Sequence, residues 1–110
     1  MKPIDYRKLE ELPPLYSTEE TKGDLPAVKL FTPDAGATWV LWEYNPDERL
    51  AFGLCNLGLG EAVLGYVSID EIDEIRGQFG LPVERERYTL TRFAGYKAMN
   101  EPVPDSLVDA

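Results

Sequence analysis

Three carboxylates are the side chains whose type and spacing come nearest to a reactive group. Asp70, Asp73 and Glu74 fall within one short segment, and carboxylates can bind magnesium or perform the acid and base steps of glycoside hydrolysis. On an exposed, convex helix, however, no cleft excludes water or raises a carboxyl pKa. Acidic residues in a first helical turn are also explained by the helix dipole. We therefore predict no metal ligands and no catalytic residues here; the alternative is a small metal-dependent or ligand-binding enzyme with a carboxylate site.

The composition argues against catalytic mechanisms that depend on histidine or cysteine. The chain has no histidine and one cysteine, Cys55, so the usual general base, the common zinc ligand and the serine or cysteine triads each lack a member. Cys55 lies in an apolar run, is predicted to be a small buried residue, and cannot form an internal disulfide. The stretch Gly58-Leu59-Gly60 lacks the lysine and the following helix of a phosphate-binding loop. We predict a protein that is not an enzyme and has no cofactor.

The acidic residues indicate a surface suited to a basic partner. Twenty acidic and eleven basic residues give a formal net charge of -9, which repels the phosphates of nucleic acids and favours basic proteins. Such carboxylates could imitate phosphate spacing and occupy the basic groove of a host protein. The alternative is a dispersed, solvated acidic surface. The residues predicted to bind the partner lie near one hairpin turn, at the start of the next strand and on one helix: Glu43, Asp47, Glu48, Glu61, Asp70, Asp73 and Glu74.

These side chains are carried by short β-rich segments separated by turn residues. Short connections between strands predict an antiparallel meander, and the charged segment 84–90 is predicted to be a fifth strand at the sheet edge. Alternation places Ala51, Gly53 and Cys55 on one face of their strand, and this face of small residues should lie under something bulky. The other strands are predicted at 28–32, 38–44, 50–54 and 62–67.

A helix after Val67 is predicted to cover that face. Ser68 can accept at the N-cap, Glu71 follows three residues later as in a capping box, and Val67 can pack against Ile72 as a hydrophobic staple. Ile69, Ile72 and Ile75 then share the buried side and leave the acidic residues outward. Gly77 is predicted to end the helix.

The rest of the chain is predicted to form one domain over residues 1–110, with a compact part at 6–99 and a loose tail at 100–110. A short N-terminal helix at 7–12 should end at the two prolines that follow. Trp39 and Trp42 must lie on opposite faces of a regular strand. If the helix covers one face, the second tryptophan is either partly exposed as a binding surface or covered by the N-terminal segment.

Five motifs follow one another along the chain: LPPLY at 12–16, FTPD at 31–34 followed by TW at 38–39, FGL at 52–54, LGYVS at 64–68 and RGQFGLPVER at 76–85. In this order they resemble an uncharacterised family of short bacterial proteins, a domain of unknown function frequent on plasmids, integrative elements and phages. The resemblance covers most of 12–88. It implies a mobile-element setting and no established activity, so it assigns no catalytic residue.

These observations lead to one hypothesis about function and to two alternatives, an enzyme and a structural subunit. The leading hypothesis is a non-catalytic acidic protein of a mobile element or phage that binds and inhibits a host nucleic-acid-binding protein and does not bind nucleic acid directly. The alternatives are the small enzyme described above and a structural accessory subunit of an element-encoded complex, which an exposed apolar patch would indicate. The chain lacks the apolar core of a signal peptide and has no run of about 20 apolar residues. We predict no membrane association and a cytoplasmic location.

Overall fold

Within residues 4, 6–86 and 90–108, which this computed structural model describes, the chain forms six strands, three α-helices and one 3-10 helix. The α+β class and the short N-terminal helix are confirmed. No helix in this described part is long and apolar enough to cross a membrane. The elements are α1 (Tyr6–Glu10), β1 (Pro26–Phe31), β2 (Thr38–Asn45), β3 (Leu50–Asn56), β4 (Val63–Ser68), α2 (Ile69–Asp73), β5 (Glu84–Arg85), β6 (Leu90–Thr91), α3 (Arg92–Ala98) and the 3-10 helix Asp105–Leu107.

The strands make one antiparallel sheet in the order β4, β3, β2, β1, β5, and β6 also pairs with β1. The predicted meander is confirmed for β1 to β4. The predicted fifth strand is divided: β5 pairs with the end of β1 at Leu30 and Phe31, whereas β6 pairs with its start at Pro26 and Ala27. Residues 87–89 of that prediction lie outside the described residues. Strand β4 lies at the opposite edge of the sheet from β5.

A β-bulge in β2 shapes the centre of the sheet. Leu41 pairs with Gly53 and Glu43 with Phe52, so Trp42 is the extra residue. The bulge brings the two backbones together: a Cβ atom at Gly53 would lie 2.0 Å from the carbonyl oxygen of Val40. Only glycine fits there without a backbone shift. Trp42 in the bulge and Glu43 after it are both buried.

One face of the sheet packs against α1 and α2. Its core includes Leu9 from α1, Ile69 and Ile72 from α2, and Trp39 and Ala51 from the sheet. The helix is therefore over the small residues, as predicted. The predicted N-cap is also confirmed, because the Ser68 hydroxyl accepts a hydrogen bond from the backbone N–H of Glu71 at 3.2 Å.

The predicted end of this helix at Gly77 is wrong. Helix α2 stops at Asp73, with Glu74 as its C-cap. Gly77 instead lies against the Asp34 carboxylate, so close that a Cβ atom would be 1.5 Å from Oδ1. Asp34 Oδ2 accepts from the backbone N–H of Phe79 at 2.7 Å. The turn from 77 to 81 is thus held by a side chain distant in sequence, which a local pattern does not reveal.

The opposite face is covered by α3 and by the segment that follows it. Trp42 packs against Tyr96 of α3, with ring centroids 5.9 Å apart, whereas Trp39 lies in the first core. The prediction that the two tryptophans occupy opposite faces is confirmed, but α3, and not the N-terminal segment, covers the second. The predicted loose tail is wrong for residues 100–108, because Val103 and Leu107 pack on this core.

Candidate functional site

Glu43 is buried in the second face of the sheet, with 2% of its surface exposed. Its Oε1 accepts from the backbone N–H of Tyr16 at 2.9 Å. Its Oε2 accepts from the backbone N–H of Thr18 at 3.1 Å and from the Thr18 hydroxyl. The prediction that Glu43 belongs to an exposed acidic surface is wrong, since the bulge turns this carboxylate inward to bind the 16–18 loop.

Arg92 is the second buried charged residue on this face, with 1% of its surface exposed. It begins α3, which Thr91 caps by accepting from the backbone N–H of Ala94 at 3.2 Å. The guanidinium donates through Nη2 to the carbonyl oxygen of Gly23 and lies 5.8 Å from the Trp42 ring centroid. Its Nε–H has no hydrogen-bond partner among the described residues.

The electrostatics of Arg92 follow from its burial. Burial lowers the pKa of the guanidinium from its ordinary value, and the nearby groups of Tyr96, Asp24 and Glu43 oppose that change. Because arginine keeps its proton in proteins, a positive charge remains inside the fold. Burial also raises the pKa of the Tyr96 hydroxyl, while the charge of Arg92 lowers it.

Glu43 and Arg92 line one cavity of about 260 Å³. Aromatic side chains form much of its wall: Trp42 meets Phe52 edge to face at 5.8 Å between centroids, and Tyr96 lies on the other side of Trp42. Ser106 and Leu107 of the 3-10 helix lie at its border. Three charged side chains, those of Glu19, Glu43 and Arg92, and three aromatic rings therefore line a space of small-molecule size.

A different feature lies along β4 and the loop that precedes it, where large apolar side chains are exposed. We call the five residues Leu57, Leu59, Val63, Leu64 and Tyr66 the β4 edge surface. Tyr66 packs against Phe52 at 4.8 Å and against Tyr16 at 5.7 Å, so the surface continues onto the neighbouring loop. The same side chains line a concave region of about 590 Å³, which Glu61 also lines. The exposed fractions are Leu57 56%, Leu59 87%, Val63 64%, Leu64 49% and Tyr66 46%.

The remaining residues of the predicted acidic surface are divided between two ends of the sheet. Leu50 pairs with Ser68 and Cys55 with Val63, so the turn with Asp47 and Glu48 lies near α2, while Glu61 lies at the opposite end. The predicted acidic residues therefore do not form one continuous stripe.

A basic residue, Arg49, also lies between the turn and α2. Its Nε contacts Asp70 Oδ1 at 2.5 Å, and its guanidinium is 4.4 Å from the Tyr6 ring centroid. The Tyr6 hydroxyl in turn donates to Asp73 at 2.8 Å, while Glu74 is exposed at the C-cap of α2. Asp70 thus has a cationic partner, which reduces the local negative charge.

No group of three or more carboxylate or cysteine side chains in the described part of the chain is arranged to hold a metal ion. The Cys55 thiol is half-buried, and burial raises its pKa, partly offset by a hydrogen bond with Trp39. Cys55 lines the concave region at the β4 edge surface and does not line the cavity that contains Glu43 and Arg92.

Sequence reasoning missed Arg92, α3 and the β4 edge surface. A signal existed for Glu43, because a single charged residue interrupts an apolar strand between Trp42 and Tyr44. Such a residue is buried only when its hydrogen bonds are satisfied. For Arg92 the signal was weaker: Thr91 is a good N-cap residue, but the segment after it has little helical periodicity.

The fold and these features define a small α+β domain with a polar, aromatic-walled cavity on one face and an exposed apolar strand at one edge. A family model described as "Protein of unknown function (DUF2958)" matches residues 7–100. The chain therefore belongs to this family, which confirms the resemblance to a domain of unknown function, and the match includes α3. A search of curated proteins and a search of solved structures each found no significant match.

Proposed function

We propose that this protein is a non-catalytic interaction protein that binds a partner protein through the β4 edge surface. The observation that carries the proposal is an edge strand with large apolar side chains exposed on both of its faces. Leu64 and Tyr66 share the face of Phe52, whereas Val63 lies on the other face, by its register with Cys55. Monomeric proteins usually protect such edges with charge, proline or a bulge.

The partner chemistry that suits this edge is an extended segment that adds to the sheet as a further strand. Among the described strands, β4 pairs only with β3, so its outward backbone groups are available for main-chain hydrogen bonds. In this mode the backbone supplies affinity, and alternate side chains supply specificity. The exposed side chains of β4 favour a segment with apolar residues at alternate positions.

Charge favours a basic partner over a second copy of the chain. The net charge is -9, so two copies repel each other, whereas a basic protein is attracted. Glu61 borders the β4 edge surface and Glu19 lies near Leu64, at the cavity. Together with the expected mobile-element setting, this supports a host nucleic-acid-binding protein as the partner, inhibited by occupation of its basic surface.

The test compares capture of partners from bacterial lysate by three forms of the protein. Val63→Asp places a charge within the β4 edge surface. Phe79→Asp is the matched control, because Phe79 is 76% exposed but lies in the turn held by Asp34. We expect a basic partner that binds the unmodified protein and the Phe79 variant at low salt and is lost from the Val63 variant.

Two results would count against this proposal in different ways. Equal capture by all three forms would show that β4 is not the binding surface. A second result would be capture of a partner without basic character that requires Val63 and persists at high salt. It would favour the accessory-subunit alternative over inhibition of a basic host protein, because apolar burial is insensitive to ionic screening.

A further inference from the structure

The charged side chains that line the cavity beside α3 have more hydrogen-bond donors and acceptors than the fold uses. Both Glu43 and Arg92 are almost fully buried, and burial of charge is costly unless each group is hydrogen-bonded. Glu43 Oε1 accepts one bond, from Tyr16, and a carboxylate oxygen can accept two. Arg92 has five N–H donors, yet its Nε–H has no partner among the described residues. The two buried charged residues that line the cavity therefore keep one acceptor and one donor that no described residue uses.

The balance of charge selects among possible ligands. The buried charges that line the cavity are one carboxylate, Glu43, and one guanidinium, Arg92, and the charge of Glu43 acts on Arg92. A second carboxylate, Glu19, also lines the cavity but is exposed to solvent, which screens its charge. An anion or a cation would leave one of these side chains facing a like charge in a buried site, where screening is weak. A neutral molecule with its own donor and acceptor adds no net charge beside Glu43 or Arg92.

The wall selects for an aromatic ligand. Trp42, Phe52 and Tyr96 contribute ring surfaces, and aromatic rings favour offset or edge contacts with other rings. The volume of about 260 Å³ is at the lower end of ligand pockets, which begin near about 300 Å³, so the occupant must be small. The hydroxyls of Thr18 and Ser106 add polar groups at the border.

We propose that this cavity binds a small, neutral aromatic heterocycle that carries an N–H donor beside a carbonyl or ring-nitrogen acceptor, the chemistry of a free purine or pyrimidine base. The donor is accepted by the Glu43 carboxylate, and the acceptor receives a hydrogen bond from the Arg92 guanidinium. The ring lies against the aromatic wall. This site is separate from the proposed strand-binding edge, although Leu64 belongs to both the cavity and the β4 edge surface.

The test is titration of the full chain by calorimetry with hypoxanthine and uracil, compared with indole. Indole has an N–H donor and a similar shape to hypoxanthine but no acceptor for Arg92. Because hydrogen bonds to charged groups are worth more than neutral ones, hypoxanthine should bind about tenfold more tightly than indole, or better. If the two bind equally, the cavity is only apolar and the proposal fails. Absence of binding by hypoxanthine and by uracil up to millimolar concentration also overturns it.

Two neighbouring variants locate the site without disturbing the buried charges. Ser106→Phe adds a ring at the cavity border, whereas Asp105→Phe adds the same ring at an exposed neighbour that does not line the cavity. We expect Ser106→Phe to weaken hypoxanthine binding about tenfold or more and Asp105→Phe to change it less than about twofold. Equal affinities of both variants for hypoxanthine would place any binding elsewhere. The Val63→Asp variant should bind hypoxanthine normally, which separates this result from the test of the β4 edge surface.

Discussion

Replacement of Glu43 by alanine tests most directly whether this buried carboxylate stabilises the 16–18 loop. The carboxylate accepts from two backbone N–H groups, of Tyr16 and Thr18, and from the Thr18 hydroxyl. Thr18 is 6% exposed, so its two donors would lose their acceptor where water has little access. Tyr16 adopts a left-handed backbone conformation, φ 67°, which is unfavourable for a non-glycine residue and is held by this contact.

The magnitude follows from the number of donors left unsatisfied. Each buried donor without a partner costs about 1 to 3 kcal/mol. With two buried donors at Thr18 and one half-exposed donor at Tyr16, we expect Glu43→Ala to lower the free energy of unfolding by about 3 to 5 kcal/mol. That is a large share of the total stability of a small domain, which is about 5 to 15 kcal/mol.

Urea denaturation followed by circular dichroism measures this change, and two variants serve as controls. Glu43→Gln keeps the shape and one acceptor oxygen but presents an NH₂ donor to part of the loop, so a smaller loss of about 1 to 2 kcal/mol is expected. Glu48→Ala removes an exposed carboxylate at the nearby turn and should change stability by less than about 0.5 kcal/mol. If Glu43→Ala is as stable as Glu48→Ala, the buried carboxylate does not hold the loop and the reasoning is wrong.

Two further predictions concern other parts of the sheet. Gly53→Ala should lower the free energy of unfolding, measured by urea denaturation, by about 3 kcal/mol or more, because the new Cβ atom would meet the Val40 carbonyl. Gly65→Ala should be close to neutral, because no atom lies within 4 Å of the position of its Cβ atom. Equal losses of stability in the two variants would refute the close approach at the bulge. Alkylation of Cys55 at pH 8 should be slower than that of a free thiol, because burial raises the pKa of Cys55 and leaves less thiolate; a rate equal to that of N-acetylcysteine would contradict this.

The parts of the fold that the sequence predicted are those set by neighbouring residues. Ser68 caps α2 because the acceptor and the N–H that it satisfies are three residues apart. The meander follows from short connections between alternating strands, which pair with their sequence neighbours. Trp39 and Trp42 lie on opposite faces of the sheet despite the bulge, and each packs in a different hydrophobic core.

The parts that the sequence did not predict depend on residues far apart in the chain. Helix α2 ends at Asp73, and the Asp34 carboxylate holds the turn at 77–81 that follows it. The bulge in β2 requires Gly53 on the partner strand, so the strand alone does not show that Glu43 turns inward. Arg92 is buried because the carbonyl of Gly23 receives its Nη2 and Trp42 packs near its guanidinium. Pattern and propensity describe local preferences, and each of these contacts is tertiary.

The positions of the acidic residues change how charge contributes to the proposed function. With Glu43 buried, Glu61 at the far end of the sheet and Asp70 paired with Arg49, the predicted acidic residues do not form one row that could imitate nucleic-acid phosphates. The net charge of -9 nevertheless attracts a basic protein from a distance, which raises the association rate. In the proposed complex, burial of the apolar side chains of β4 would set the dissociation rate. Added salt should therefore slow association with the partner, whereas Val63→Asp should mainly speed dissociation.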